Sequence, residues 1–138
     1  MIYLKSIHYH PSTSDIPILN DVDIEANSGY PTIIYGASGS GKTSLLEIIS
    51  GLATPQKGKL YWHKKIISQR VRRSLCGIVF QFPERHFIGL TVSQELRIGH
   101  RRLSTDSQNQ VLEKVGLSEV DRKKAPEELS GGQQRRLA

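Results

Sequence analysis

Residues 36–43 read Gly36-Ala37-Ser38-Gly39-Ser40-Gly41-Lys42-Thr43, a full match to the spacing G-x-x-x-x-G-K-[ST]. These types at this spacing suit one chemistry, the cradling of a phosphate chain. Gly36, Gly39 and Gly41 permit backbone angles that close a loop around an anion, and they keep side chains out of its approach. Main-chain amides then converge at the head of a helix, where the dipole places roughly half a positive charge. Lys42 neutralises β- and γ-phosphate oxygens, the Thr43 hydroxyl offers an oxygen to Mg²⁺, and Ser44 completes the cradle.

A second stretch has related physics. Leu129-Ser130-Gly131-Gly132-Gln133 is a run that average composition produces on the order of once in several thousand chains of this size. Ser130 is placed to cap a helix, Gln133 three residues on completes a capping box, and the glycines leave amides uncovered. Two separate anion-binding helix starts on one chain suggest that two copies share nucleotides.

The elements that must position these residues follow from the pattern around them. Residues 1–7 and 18–25 read as strands, separated by the turn-rich His10-Pro11-Ser12-Thr13-Ser14-Asp15. Thr32-Ile33-Ile34-Tyr35, bounded by glycines, has the signature of a fully buried strand, and Leu60-Tyr61-Trp62 and Gly77-Ile78-Val79-Phe80 read as further strands. A helix begins at the phosphate loop and stops at Ser50-Gly51. Thr91-Val92-Ser93-Gln94 reads as a capping-box start, and Val111, Leu112 and Val115 as one helical face ending at Gly116. Strand, glycine-rich loop, helix, strand, then helices argue an α/β domain with a parallel sheet.

At 138 residues, with 37% apolar and 23% charged side chains, the chain can build about one packed domain. No apolar run approaches the roughly 18 residues needed to cross a bilayer, which excludes a membrane-spanning segment here. Cys76 stands alone, so no internal disulfide forms, and its apolar flank argues a buried, inert thiol in a reducing compartment. The amino terminus shows neither a signal peptide nor a transit stretch. The net charge is +6, with clusters at Lys64-Lys65, Arg70, Arg72-Arg73, Arg101-Arg102, Arg122-Lys123-Lys124 and Arg135-Arg136. A nucleic-acid surface is one reading of these clusters. Their scatter, without interleaved aromatics, favours solvated faces on a phosphate-handling protein.

No Asn-Lys-x-Asp guanine motif is present, so the class comes from the second element. With Leu-Ser-Gly-Gly-Gln beside a complete phosphate loop, the chain resembles the nucleotide-binding subunit of ABC transporters over essentially all its length. The resemblance implies a P-loop NTPase (RecA-like) fold, residues 1–80 forming an antiparallel-sheet and phosphate-loop core and 81–138 a helical subdomain. It implies ATP and Mg²⁺ as cofactors, and ATP hydrolysis coupled to transport. Gln81, after the run 77–80, matches the family's glutamine that reaches Mg²⁺ and the attacking water, giving Thr43 and Gln81 as metal contacts and Lys42 and Gln81 as catalytic candidates. Tyr9 matches the aromatic that stacks on adenine, although a tyrosine merely closing a strand is the alternative. Ser130, Gly131, Gly132 and Gln133 match the cap placed over a partner's ATP, so the implied partners are a second cassette in a head-to-tail dimer and transmembrane subunits, with no nucleic acid.

Ile78-Val79-Phe80-Gln81-Phe82-Pro83-Glu84-Arg85 looks most like soluble ATP-binding subunits of plant plastids and cyanobacteria, akin to energy-coupling importer ATPases. That resemblance implies the plastid stroma or its membrane face, and otherwise the cytoplasmic face of a membrane. In the family, a magnesium-holding Asp, the adjacent catalytic Glu and a switch His follow the signature. No aliphatic run closed by Asp-Glu occurs in these 138 residues. The expectation is therefore the amino-terminal part of a cassette, marginally stable alone, that binds ATP and turns it over hardly at all. The alternative is a non-hydrolytic or regulatory module that pairs with a full-length subunit.

Overall fold

A computed structural model describes residues 1–100 and 102–138, with Glu84 described by its backbone alone. Arg101, half of the Arg101-Arg102 pair, lies outside the described residues. The chain forms two compact units, Met1–Ile78 and Val79–Ala138.

In the first unit, β1 (Ile2–Tyr9), β2 (Leu19–Ala26), β3 (Lys57–Trp62) and β4 (Lys65–Ile66) form one antiparallel sheet in the order β2-β1-β3-β4. Leu4 lies opposite Ile24 on one side and Leu60 on the other, so one face of the sheet is apolar. Strict alternation would turn Ile7 away from Leu4, yet both are fully buried. A bulge resolves this: the register shifts between Leu4 and Ile7, and Ser6 takes a φ of 50°. The Ser6 N–H is met by Asp23 Oδ1 at 2.5 Å. Helix α1 (Lys42–Ser50) lays Leu45 and Ile48 into this core with Leu4, Ile7, Leu19 and Leu60, each such side chain contributing about 1.5–3 kcal/mol.

The far end of α1 is held from α2 (Gln69–Leu75). Gly51 ends α1 at a φ of 80°, its N–H bonded to the Ile48 carbonyl at 3.2 Å. Gln69 Nε2 and Arg73 Nε each donate to the Gly51 carbonyl at 2.9 Å, and Arg72 Nη1 donates to the Ile48 carbonyl. Cations at a helix carboxyl end complement its dipole. Arg72 is thus buried, contrary to its reading as part of a solvated basic face, and its Nε has no partner among the described residues. Burial pushes its pKa below the ordinary value, the Arg73 charge adds to that, and Cys76 opposes it. Cys76 itself is half-buried, its Sγ 3.6 Å from the Ile49 carbonyl.

Two strand expectations fail. Residues 32–35 and 77–80 are not strands, and Ile33 (81% exposed), Tyr35 (91%) and Val79 (65%) face solvent. Among the described residues the sheet is wholly antiparallel, so the expected parallel sheet is not formed here. A buried strand needs neighbours to bond its N–H and C=O groups on both edges, and no described strand pairs with these stretches.

The second unit holds a 3-10 turn at Pro83–Arg85, α3 (Val92–Glu95), α4 (Thr105–Lys114), a 3-10 turn at Pro126–Glu128, and α5 (Gly131–Leu137). Its core is Val92, Leu112, Leu117 and Leu129. Leu112 faces it and Val115 packs at its edge, but Val111 is 43% exposed, so the expected three-residue face narrows to two. Gly116 ends α4 at a φ of 67°. Thr91 caps α3 through Gln94 N–H at 3.2 Å, but Gln94 Oε1 accepts from Leu90 N–H at 2.9 Å, so the expected reciprocal box is offset by one residue.

Candidate functional site

The phosphate loop is exposed and runs directly into α1. Gly41, with a φ of 87°, occupies the cap position and no side chain bonds the first-turn amides, so α1 opens with its donors uncovered. A Cβ at Gly41 would sit 2.8 Å from Leu19 Cδ2 and 3.0 Å from Ile18 Cγ2, so glycine is required by space as well as by φ. Gly36 and Gly39 also adopt positive φ, 155° and 79°. The Lys42 ammonium curls back over the loop, donating to the carbonyls of Gly36 at 3.0 Å and Ala37 at 2.6 Å, with Ser40 Oγ at 3.5 Å. Ser40 N–H bonds the Ala37 carbonyl at 3.3 Å and tightens the same turn around Ser38 and Gly39. Thr43 is exposed and Ser44 half-buried, both in the first turn of α1.

This geometry fits a phosphate chain. The Lys42 ammonium stands over the loop, the first-turn amides of α1 carry no side-chain cap, and a Cβ at Gly36 would sit 2.9 Å from Ser40 Oγ within the loop. A divalent cation that prefers oxygen donors and keeps phosphate and water ligands fits the exposed Thr43 hydroxyl as one ligand. No cluster of three or more His, Cys, Asp or Glu side chains suited to a metal occurs among the described residues.

Tyr9 ends β1 and joins this loop through the neighbouring strand. It pairs with Leu19, and its carbonyl accepts from Ile18 N–H at 2.9 Å. Ile18 and Leu19 are the residues against which Gly41 packs, so the first unit brings Tyr9, the phosphate loop and the start of α1 together. Gln56, which carried no motif, grips the backbone on both sides of Tyr9. Its N–H donates to the His8 carbonyl at 3.0 Å, its Oε1 accepts from His10 N–H at 2.8 Å, and its Nε2 donates to the His10 carbonyl at 2.5 Å.

Gln81 and the signature belong to the second unit. Gln81 is exposed in a bend just before the Pro83–Arg85 turn, where Arg85 lies over the Phe82 ring at 4.8 Å. Ser130 caps α5 with the full reciprocal box: Gln133 N–H donates to Ser130 Oγ at 3.3 Å, and Ser130 N–H donates to Gln133 Oε1 at 2.9 Å. A Cβ at Gly131 or Gly132 would meet nothing within 4 Å, so both backbones are open to solvent. Leu129 anchors the segment in the core, and Gln134 Nε2 ties α5 to the Pro126 carbonyl at 3.1 Å.

The ABC transporter family profile matches residues 19–138, from β2 through the phosphate loop to α5. The chain belongs to the ABC transporter family. Among its curated relatives, an energy-coupling factor transporter ATP-binding protein of Mycoplasmopsis synoviae is 34% identical over 149 residues, covering 100% of this chain and 55% of that protein. ABC transporter I family member 11, chloroplastic, of Arabidopsis thaliana is 33% identical, covering 99% of this chain and 55% of that protein. A Clostridium perfringens protein that is part of an ABC transporter complex superposes with a TM-score of 0.82 at 24% identity, over 99% of this chain and 58% of that one. A dimeric structure of a bacterial ABC transporter cassette gives 0.76 at 27% identity, over 99% and 66%. The chain therefore spans about half the length of the curated relatives it matches, and its fold is that of the ABC ATPase cassette, mixed helix and sheet.

Proposed function

We propose that this chain is the nucleotide-holding part of a transporter ATPase subunit, binding Mg²⁺-ATP through residues 36–44. The observation that carries this is the phosphate loop itself: uncovered amides at the head of α1, and a Lys42 ammonium held by loop carbonyls that a triphosphate would outcompete. Lys42 exchanges two neutral acceptors for β- and γ-phosphate oxygens, and the amides of residues 38–44 follow the charge. Mg²⁺, when bound beside Thr43, supplies neutralisation of the same oxygens. Tyr9 offers its ring to adenine, a contact worth about 1–3 kcal/mol in comparable base stacking. Gln81 is the residue we assign to the attacking water and to relay toward a membrane partner.

Family membership supports the remaining roles. Ser130, Gly131, Gly132 and Gln133 would close over the γ-phosphate held by a second cassette, giving a head-to-tail dimer on transmembrane subunits. The energy-coupling factor relatives are transporter ATP-binding proteins, which supports a place at the cytoplasmic face of a membrane, and the chloroplastic Arabidopsis relative supports the plastid alternative. Hydrolysis needs a base that positions water, and no aliphatic run closed by Asp-Glu occurs in these 138 residues. Binding without turnover by these 138 residues alone is therefore the expectation, and the alternative reading, a non-hydrolytic module that pairs with a longer subunit, is decided by the phosphate-release assay.

Calorimetric titration of the chain with Mg²⁺-ATP tests the core of this, alongside a phosphate-release assay. Saturable heat that Lys42→Ala abolishes is expected, with little phosphate released. No heat, or equal heat from Lys42→Ala, would overturn it. Release at an undiminished rate when a longer cassette is added separates a passive fragment from a regulatory module, which would slow it.

A further inference from the structure

The grip of Gln56 on the backbone around Tyr9 has a use beyond tying a loop to a strand. A side-chain amide is the neutral group that donates and accepts side by side, and here it closes both bonds on a single residue, accepting from His10 N–H at 2.8 Å and donating to the His10 carbonyl at 2.5 Å. The Gln56 main chain holds the other flank through the His8 carbonyl at 3.0 Å. The Tyr9 carbonyl is bonded to Ile18 N–H at 2.9 Å, and the His10 ring reaches the Ser14 carbonyl at 2.8 Å. The peptide units before and after Tyr9 are thus fixed from Gln56, 46 positions beyond His10, and the half-buried ring packs one side against the first core, so little freedom is left to it. A ring held before its ligand arrives loses less freedom on stacking than a ring on a loose loop.

We infer that Gln56 is a positioning residue for the base: it holds Tyr9 ready to stack on a purine, so recognition of the base depends on it while recognition of the phosphates does not. This rests on the assignment of Tyr9 to adenine. The phosphates are met by a different structure, the loop at 36–43, whose bonds include none to Gln56.

The test is the ratio of affinities for Mg²⁺-ATP and for Mg²⁺-bound inorganic triphosphate, measured by calorimetry on the full chain and on Tyr9→Ala, Gln56→Ala, Gln56→Glu and the double Tyr9→Ala/Gln56→Ala. Triphosphate affinity should stay within about twofold throughout, because the phosphate loop is untouched. Tyr9→Ala should weaken ATP by about tenfold, at the lower end of what base stacking contributes. Gln56→Ala should weaken it by about three- to tenfold, and the double variant should be no weaker than Tyr9→Ala alone, since an absent ring cannot be mispositioned. Gln56→Glu, which still accepts from His10 N–H but cannot donate to its carbonyl, should fall between wild type and Gln56→Ala, and it carries the test if the alanine variant does not fold. The inference is overturned if Gln56→Ala leaves ATP affinity unchanged, weakens ATP and triphosphate alike, or adds in full to Tyr9→Ala. If instead Tyr9→Ala leaves the ratio at its wild-type value, the assignment of Tyr9 falls first and the role of Gln56 with it.

Discussion

Two helices of this protein, α1 and α5, start from glycine- and serine-rich sequence, and both starts face solvent. They solve the problem of their first amides in opposite ways. At α5 the chain supplies its own acceptors, with Ser130 and Gln133 bonding each other's backbones. At α1 the cap is Gly41, with no side-chain acceptor at all. A glycine in place of a side-chain cap forgoes only a few tenths of a kcal/mol of helix stability, about 0.3. What α1 gains is a set of free donors, kept in place by the packing of Gly41 on Ile18 and Leu19 and by Lys42 spanning the loop carbonyls. The α5 start is stable on its own terms, and its open glycines present backbone rather than charge. The proposed roles, one start gripping an anion and the other covering one, call for this difference.

Lys42→Ala breaks the contrast most severely. At the α1 start it should cost at least about a hundredfold in Mg²⁺-ATP affinity, about 2.7 kcal/mol, because a charge-assisted contact to phosphate is lost without replacement. Ser130→Ala should leave the same titration unchanged in the isolated chain. An ATP affinity that responds equally to both substitutions would make the two helix starts equivalent as anion sites.

Gly41→Ala comes next and acts on stability as well as binding. Alanine at a φ of 87° costs about 1–2 kcal/mol, and its methyl would press on Leu19 Cδ2 at 2.8 Å inside the first core. We expect about 2–3 kcal/mol of lost stability by denaturant titration, with ATP affinity falling too. A variant as stable as wild type would mean that the loop relaxes freely and that Gly41 serves only to clear space for the ligand.

Both motifs were legible in the sequence because each is local: a helix start is decided within four residues, and glycine, serine and glutamine at fixed offsets specify it. What the sequence hid is what depends on distant partners. Thr32–Tyr35 carries the composition of a buried strand, but strand formation belongs to the neighbours that bond it, and composition does not say where those are. Arg72 reads as one more surface cation, whereas its turn on α2 delivers it to the Ile48 carbonyl. Gln56 has no periodic or motif signal, since its role arises from a bulged strand pair that brings residue 56 back to residues 8 and 10. The bulge itself is hidden because it is written only as a break in alternation between Leu4 and Ile7.

Ser130→Ala measures the other side of the contrast. Removing the cap hydroxyl frees Gln133 N–H and should destabilise the second unit by about 1 kcal/mol, read as a lower denaturant midpoint. A larger loss would show that the cap organises Leu129 and the core beneath it as well as α5.

The smallest effect has the opposite sign and separates the glycines of the two motifs. Gly132 lies inside the first turn of α5, outside the positive-φ region, and a Cβ there would meet nothing within 4 Å. Alanine at such a position restricts the unfolded chain and favours the helix, so Gly132→Ala should stabilise the protein by a few tenths of a kcal/mol, up to about 1. The same exchange that damages the α1 start should thus improve the α5 start, when folding alone is measured by denaturant titration. A gain in stability would fit the proposed role of Gly132, whose open backbone would cover a partner's phosphate rather than serve the fold. Should Gly132→Ala prove destabilising, the glycine would be a requirement of α5 itself, and the difference between gripping and covering an anion would no longer be written in these two helix starts.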